Sequence, residues 1–217
     1  MAPPKPLQID FVSDIVCPWC VIGLKALDQA LTAIGDEAEV TLHFEPFELN
    51  PDMPPEGQNI REHIAQKYGA TPEQSAGTRT MIRDRAADVG FTINSGADSR
   101  IYNTFDAHRL LHWAREQGKE AELKMALFSA YFTDGRNVSD HDVLAAAAVT
   151  VGLDGYAARD VLANGLYGEE VRAAELHWRR EGINAVPAAI INGRYVISGG
   201  QPPQKYERAL RSIMAEG

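Results

Sequence analysis

Two cysteines occur in the chain, Cys17 and Cys20, and they stand three residues apart as Cys17-Pro18-Trp19-Cys20. A disulfide across so short a loop would add little chain entropy to stability, so the pair is there for reactivity or for a metal. At the start of a helix, free backbone N–H groups and the helix dipole favour a thiolate on the first sulfur. The second sulfur, one turn on, is then placed to attack a mixed disulfide formed on the first. This makes Cys17 the nucleophile and Cys20 the resolving thiol, with Cys17 expected to be partly exposed and Cys20 more covered. Zinc would need four ligands, and no second cysteine pair is present. The six histidines are scattered. His108 and His112 have helical metal-ligand spacing without the glutamate that a zincin motif requires. No metal is therefore expected.

The surrounding pattern supplies the helix. Leu7 to Ser13 alternates apolar and polar residues and reads as a strand. Leu24, Leu27, Leu31 and Ile34 recur at helical spacing behind the dithiol, with Pro18 suited to the first helical position and Gly35 to a stop. Val40 to Glu48 alternates again, with Pro46 favouring an edge strand. The opening is thus β-α-β. Asn50 to Gly57 is a proline-rich boundary.

From Ile60 to Glu181 the pattern is helical. Thr71-Pro72-Glu73-Gln74 reads as a capping box opening a helix that ends at Gly90. Phe91 to Ile93 is a brief extended piece. Helices are expected over 99–117, 119–132, 139–151, 154–162 and 168–180. Val186 to Ser198 then reads as two strands about an Asn192-Gly193 turn, and Pro203 to Met214 as a last helix.

With 217 residues, 45% of them apolar, the chain can bury a core of useful size. Its net charge of −9 argues against a nucleic-acid backbone as partner. No run of apolar residues is long enough for a membrane span. Met1 to Leu7 lacks the apolar run of a secretory signal, so a cytoplasmic location is expected.

Three segments together carry a family resemblance: Phe11-Val-Ser-Asp-Ile-Val-Cys-Pro-Trp-Cys20, the Asn103-Thr-Phe-Asp-Ala-His-Arg-Leu110 helix, and Gly182-Ile-Asn-Ala-Val-Pro187 with the following hairpin and Gly199-Gly-Gln201. On these the chain resembles the DsbA-like branch of the thioredoxin superfamily, and within it the cytoplasmic FrnE-like proteins. The resemblance implies an α/β thioredoxin fold, β-α-β followed by β-β-α, with an all-helical domain inserted between the second and third strands. The thioredoxin-like domain would comprise residues 1–56 and 183–217, and the insertion residues 57–182.

It also implies a cis-proline at Val186-Pro187 facing the dithiol, and a substrate groove that Pro18, Trp19, Val186, Pro187, Asn103 and His108 help to line. Glu45 is a candidate proton acceptor for Cys20, against the plainer reading of a surface or turn-capping glutamate. Trp113 and Trp178 read as packing. DsbA has histidine where Trp19 stands, so a less oxidising couple is expected here.

The activity implied is thiol–disulfide exchange, reducing or isomerising protein or small-molecule disulfides without an organic cofactor, with glutathione as a candidate partner and a monomer or homodimer as the assembly. Two other functions fit the same residues. One is a glutathione-dependent isomerase or transferase, of the 2-hydroxychromene-2-carboxylate isomerase or kappa type, although those proteins typically replace the resolving cysteine. The other is a peptide-binding chaperone using the groove at Val186-Pro187.

Overall fold

The computed structural model describes residues 3–96 and 98–216, so Met1 and Ala2 of the segment read for a leader lie outside it. A four-stranded sheet runs in the order β2-β1-β5-β6. Strand β1 (Lys5–Ser13) pairs in parallel with β2 (Ala38–Pro46), and the helix α1 (Pro18–Ile34) connects them. On its other side β1 pairs antiparallel with β5 (Ala188–Ile191), which forms a hairpin with β6 (Tyr195–Ser198). Asn192 and Gly193, with φ of 51° and 64°, make that turn, a left-handed pair that glycine and asparagine tolerate best.

Alternation along the strands builds two apolar layers. Ile9, Phe11, Ala189 and Ile191 face the main core beneath α1. Val12, Ala188 and Ile190 face the opposite way, into a smaller cluster with Phe47, Trp178 and Ile183. The last helix α9 (Pro203–Glu216) packs on α1 through Tyr206, Leu210 and Ile213. This is a thioredoxin fold.

Among the described residues, seven α-helices lie between β2 and β5: α2 (Ile60–Tyr68), α3 (Pro72–Asp88), α4 (Phe105–Glu116), α5 (Glu120–Phe128), α6 (His141–Thr150), α7 (Gly155–Ala163) and α8 (Gly168–Arg180). Thr71 caps α3 as expected: its hydroxyl accepts from the Gln74 amide at 3.3 Å, and the Gln74 side chain accepts from the Thr71 amide at 2.9 Å. Asp140 and Asp154 cap α6 and α7 in the same spirit.

Several sequence expectations shift. The second strand ends at Pro46 rather than Glu48. The helix expected from Ser99 starts only at Phe105, because Arg100–Ile101 (β4) pairs with Gln58–Asn59 (β3) in a small antiparallel ladder. Gly57, at φ +68°, makes that ladder possible, since a Cβ there would stand 2.3 Å from the Ile101 carbonyl oxygen. The helix expected to run to Phe132 leaves α geometry at Ser129 and finishes as a π-helical turn, Ser129–Thr133. Phe91 to Ile93 joins no ladder; Phe91 and Ile93 are buried as packing residues.

Candidate active site

Cys17 is the N-cap of α1, in extended backbone at φ −92° and ψ 112°, and Pro18 follows inside the first turn. Proline is suited to that place because no helical N–H is needed there. The turn puts Cys20 at the core side, with no exposed surface, and Cys17 at the cavity side. Cys17 itself is only 4% exposed, less than the partial exposure expected, because the segment around Val186 folds over it. The Cys17 thiol donates to the Val186 carbonyl oxygen at 3.8 Å. Both thiols are free.

The Val186-Pro187 peptide is cis. Pro187 is buried and packs on α1, where a Cβ on Gly23 would lie 3.0 Å from Pro187 Cγ. The loop after β6 closes from the same side. A Cβ on Gly200 would stand 2.9 Å from the Trp19 carbonyl oxygen, so only glycine allows the two backbones this close.

A cavity of about 850 Å³ opens beside the dithiol. Cys17, Pro18, Trp19 and Val186 line it. Pro187, Asn103 and His108, expected in the same groove, do not. Asn103 precedes α4 rather than lying on it. Its side-chain oxygen accepts from the Phe105 amide at 2.9 Å, and its amide donates to the Pro51 carbonyl at 3.1 Å. These bonds fix the entry to α4. His108 is buried behind the dithiol, its Nε2 3.7 Å from Asp14 Oδ1. His112 stacks on Tyr167 at 5.0 Å between ring centroids.

Glu45 is not the partner of Cys20. It lies in an ion pair with Arg115 at 3.1 Å and accepts from Trp178 Nε1 at 3.1 Å, neither a free surface group nor a proton acceptor for the dithiol. Trp178 thus adds a hydrogen bond to its packing role. Trp113 is buried as expected.

The groups that do sit under Cys20 are Asp14 and Lys124. The Asp14 amide donates to Cys20 Sγ at 3.5 Å, and the Asp14 carboxylate accepts from the Leu49 amide at 2.8 Å. Burial raises Asp14, but His108, the Leu49 amide and Thr104 more than offset it, leaving the carboxyl below its ordinary range. Lys124 of α5 is wholly buried, its Nζ 5.5 Å from the Phe128 ring centroid and 5.9 Å from that of Phe44. Burial lowers its pKa, against the opposing pull of Cys20, Asp14 and Glu120. Burial pushes the Cys20 thiol well up, and proximity to Cys17 adds to that; the Asp14 amide and the Lys124 charge pull it back. The site is therefore graded: one sulfur at a cavity, the next sealed and hard to ionise except through a buried cation.

A second ion cluster adjoins the cavity. Glu48, with a fully buried side chain, and Glu175 share the Arg172 guanidinium. Burial first, then the neighbouring Glu175 and Asp14 charges, outweigh Arg172 and push Glu48 up to about 7.

The fold and this geometry agree with the sequence comparison: the profile of the DSBA-like thioredoxin domain matches residues 8–211, and the chain belongs to that family. The Bacillus subtilis protein YwbO, itself uncharacterised, is 32% identical over 205 residues, covering 94% of this chain and 96% of its own. The crystal structure of a probable DsbA oxidoreductase from Streptomyces coelicolor superposes with a TM-score of 0.92 at 33% identity, over 97% of this chain and 91% of that one. The cytosolic disulfide reductase DsbM of Pseudomonas aeruginosa shares the fold, with a TM-score of 0.67 at 16% identity, over 97% of this chain and 100% of its own.

Proposed function

We propose that the protein is a dithiol–disulfide oxidoreductase that works in the reducing direction. The observation that carries this reading is the asymmetry of the pair: Cys17 lines the cavity, whereas Cys20, one turn along α1, is sealed.

The Cys17 thiolate attacks a substrate disulfide RS–SR′. A Cys17 Sγ–SR bond forms, the RS–SR′ bond breaks, and R′S⁻ leaves and takes up a proton. Cys20 then loses its proton and attacks Cys17 Sγ, releasing RS⁻, which is protonated in turn. The dithiol is oxidised to a Cys17–Cys20 disulfide and the substrate is reduced to two thiols. Cys17 stands at the N-cap of α1. The buried Lys124 ammonium favours the Cys20 thiolate, which burial opposes.

Trp19 between the cysteines offers bulk and no charge, in keeping with a couple that is not strongly oxidising. A cytosolic setting, where the resting form is the dithiol, accords with this direction. So does the fold relationship to the cytosolic disulfide reductase DsbM, one structure of which holds GSH. Glutathione is accordingly our candidate for the thiol that recharges the site.

The test is turnover of insulin or of a small disulfide by wild-type protein, Cys17→Ser and Cys20→Ser. Loss of turnover in Cys17→Ser, with a covalent substrate adduct on Cys17 in Cys20→Ser, is expected. A Cys17→Ser protein that reduces disulfides at the wild-type rate sinks the proposal.

A further inference from the structure

The cavity beside Cys17 has a charge opposite to that of the protein that contains it. The chain carries 30 acidic and 21 basic residues. The cavity, by contrast, is lined by Lys67, Arg79, Arg100 and Arg179, and among the described residues the one carboxylate that lines it, Glu48, is buried and engaged by Arg172. Lys67 is tied to the Leu49 carbonyl at 2.9 Å and Asn50 at 2.8 Å, and Arg100 to the carbonyls of Glu56 and Gly57 at 2.9 and 2.8 Å. Those two hold the wall together while keeping their charge.

Arg79 of α3 and Arg179 of α8 are different. Among the described residues neither has a carboxylate or hydrogen-bonded side-chain partner, and Arg179 rests only over the Phe47 ring, 5.6 Å from its centroid. Between the cations the wall is apolar and largely aromatic: Trp19, Ile64, Ile82, Tyr102, Tyr131 and Phe132 all contribute. A volume of about 850 Å³ is that of a small-molecule site.

We infer that the site selects small disulfides bearing a carboxylate on an apolar, aromatic-sized body, and that Arg79 and Arg179 are the residues that read the charge. The inference rests on the dithiol chemistry proposed above. Cys17 attacks the sulfur of the bound disulfide, the apolar wall takes the body, and the unpaired guanidiniums take the carboxylate. Two electrons pass from the dithiol to the substrate, which leaves as two thiols, so no further reactant enters.

The test uses the reduced full-length protein mixed with excess 2,2′-dithiodibenzoate (an aromatic dicarboxylate), bis(2-hydroxyethyl) disulfide (neutral), cystamine (a dication) or insulin. Oxidation is followed by acid quench and mass spectrometry, and each rate is divided by that of dithiothreitol with the same disulfide to remove intrinsic reactivity. The expected order is dithiodibenzoate first, the neutral disulfide next, then cystamine and insulin. Arg79→Gln and Arg179→Gln should each lower the dithiodibenzoate-to-cystamine ratio by up to about fivefold, the size of one exposed ion pair. The double charge reversal Arg79→Glu with Arg179→Glu should invert the order.

Cystamine or insulin matching dithiodibenzoate, or an order unmoved by the double reversal, overturns the charge selection and leaves the dithiol assignment standing. A wild-type protein that none of the four oxidises overturns the dithiol assignment itself.

Discussion

The main chain of Asp14 donates to Cys20 Sγ across 3.5 Å, while the carboxylate of the same residue faces His108 at 3.7 Å. One residue at the end of β1 therefore joins the buried sulfur to charges supplied by the inserted helices. Lys124, from α5, completes that environment: its charge pulls the Cys20 thiol down, and the Asp14 and Cys20 charges hold Lys124 up.

Replacing Lys124 with Met should separate function from stability. The Lys124 ammonium is buried with no hydrogen-bond partner for Nζ among the described residues. Asp14 keeps the Leu49 amide and His108, and Glu120 keeps Arg115 at 3.0 Å. Removing a buried cation whose counter-charges have other partners is expected to raise Tm. It also removes the charge that favours the Cys20 thiolate. The Cys17 mixed disulfide should therefore persist, about threefold longer at neutral pH for each unit that the Cys20 thiol rises, since the scarcer thiolate is also the more nucleophilic. Rapid quench with mass spectrometry measures this, and resolution at the wild-type rate would show that Lys124 has no part in it.

Glu48 predicts a pH dependence of stability. Its folded-state pKa, about 7, lies above the ordinary 4.5, so the folded state holds a proton that the unfolded state releases. Stability contributed by Glu48 is thus complete below about 4.5 and falls as pH rises to about 7, beyond which the loss is constant. The Glu48→Gln protein lacks this slope. Its stability relative to wild type, followed through Tm, should climb between pH 5 and 8 by an amount on the order of 2 kcal/mol. A difference in Tm that stays flat across that range would mean that Glu48 is ionised throughout.

Arg109 of α4 ties the inserted helices together at several points. It is 3% exposed, and donates to the carbonyls of Val161, Leu166 and Leu162 and, at 2.7 Å, to Asp106. Arg109→Leu leaves buried carbonyls without donors, and is expected to cost about 3–5 kcal/mol. Urea unfolding provides the measurement, and a loss under about 1 kcal/mol would assign those carbonyls other donors.

What the sequence makes legible is what short stretches settle by themselves. Pro18 and Gly35 bound α1, Thr71 with Gln74 opens α3, and Asn192-Gly193 turns the hairpin, each through bonds or dihedral preferences within a few residues. The dithiol at a helix start is of this kind, and so is the placement of Val186-Pro187 before a strand. The charges around the dithiol are not. Asp14, Glu48, Lys124 and Arg172 come from four separate segments, and each alone reads as a solvated surface residue. Lys124 carried a faint signal, flanked by Leu123, Met125, Ala126 and Leu127 on a helix with little polar face. The family resemblance implies His108 and Asn103 in the groove. A start of α4 at Phe105 instead leaves Asn103 outside the helix and His108 facing Asp14.

Gly200 and Trp19 supply the last prediction. A Cβ at Gly200 would meet the Trp19 carbonyl oxygen at 2.9 Å and the Trp19 ring at 3.3 Å, while Gly23 N lies 3.5 Å away. Its φ is not positive, so the constraint is space rather than backbone conformation. Since the obstruction is backbone, the Cys-Pro-Trp-Cys turn or the loop must move to admit a methyl group. Gly200→Ala should therefore cost about 1–3 kcal/mol, as overpacking does. It should also slow thiol–disulfide exchange by about tenfold or more, because Cys17 moves relative to Val186. Gly199→Ala is the control. Gly199 has a φ of +78°, so alanine there is strained, yet its Cβ would meet only Gln201 Nε2 at 3.5 Å and nothing of Trp19. Equal losses of stability with slowed exchange in Gly200→Ala alone would establish that the approach of Gly200 to Trp19 positions the nucleophile. Equal exchange rates in the two variants would reduce that approach to a matter of folding.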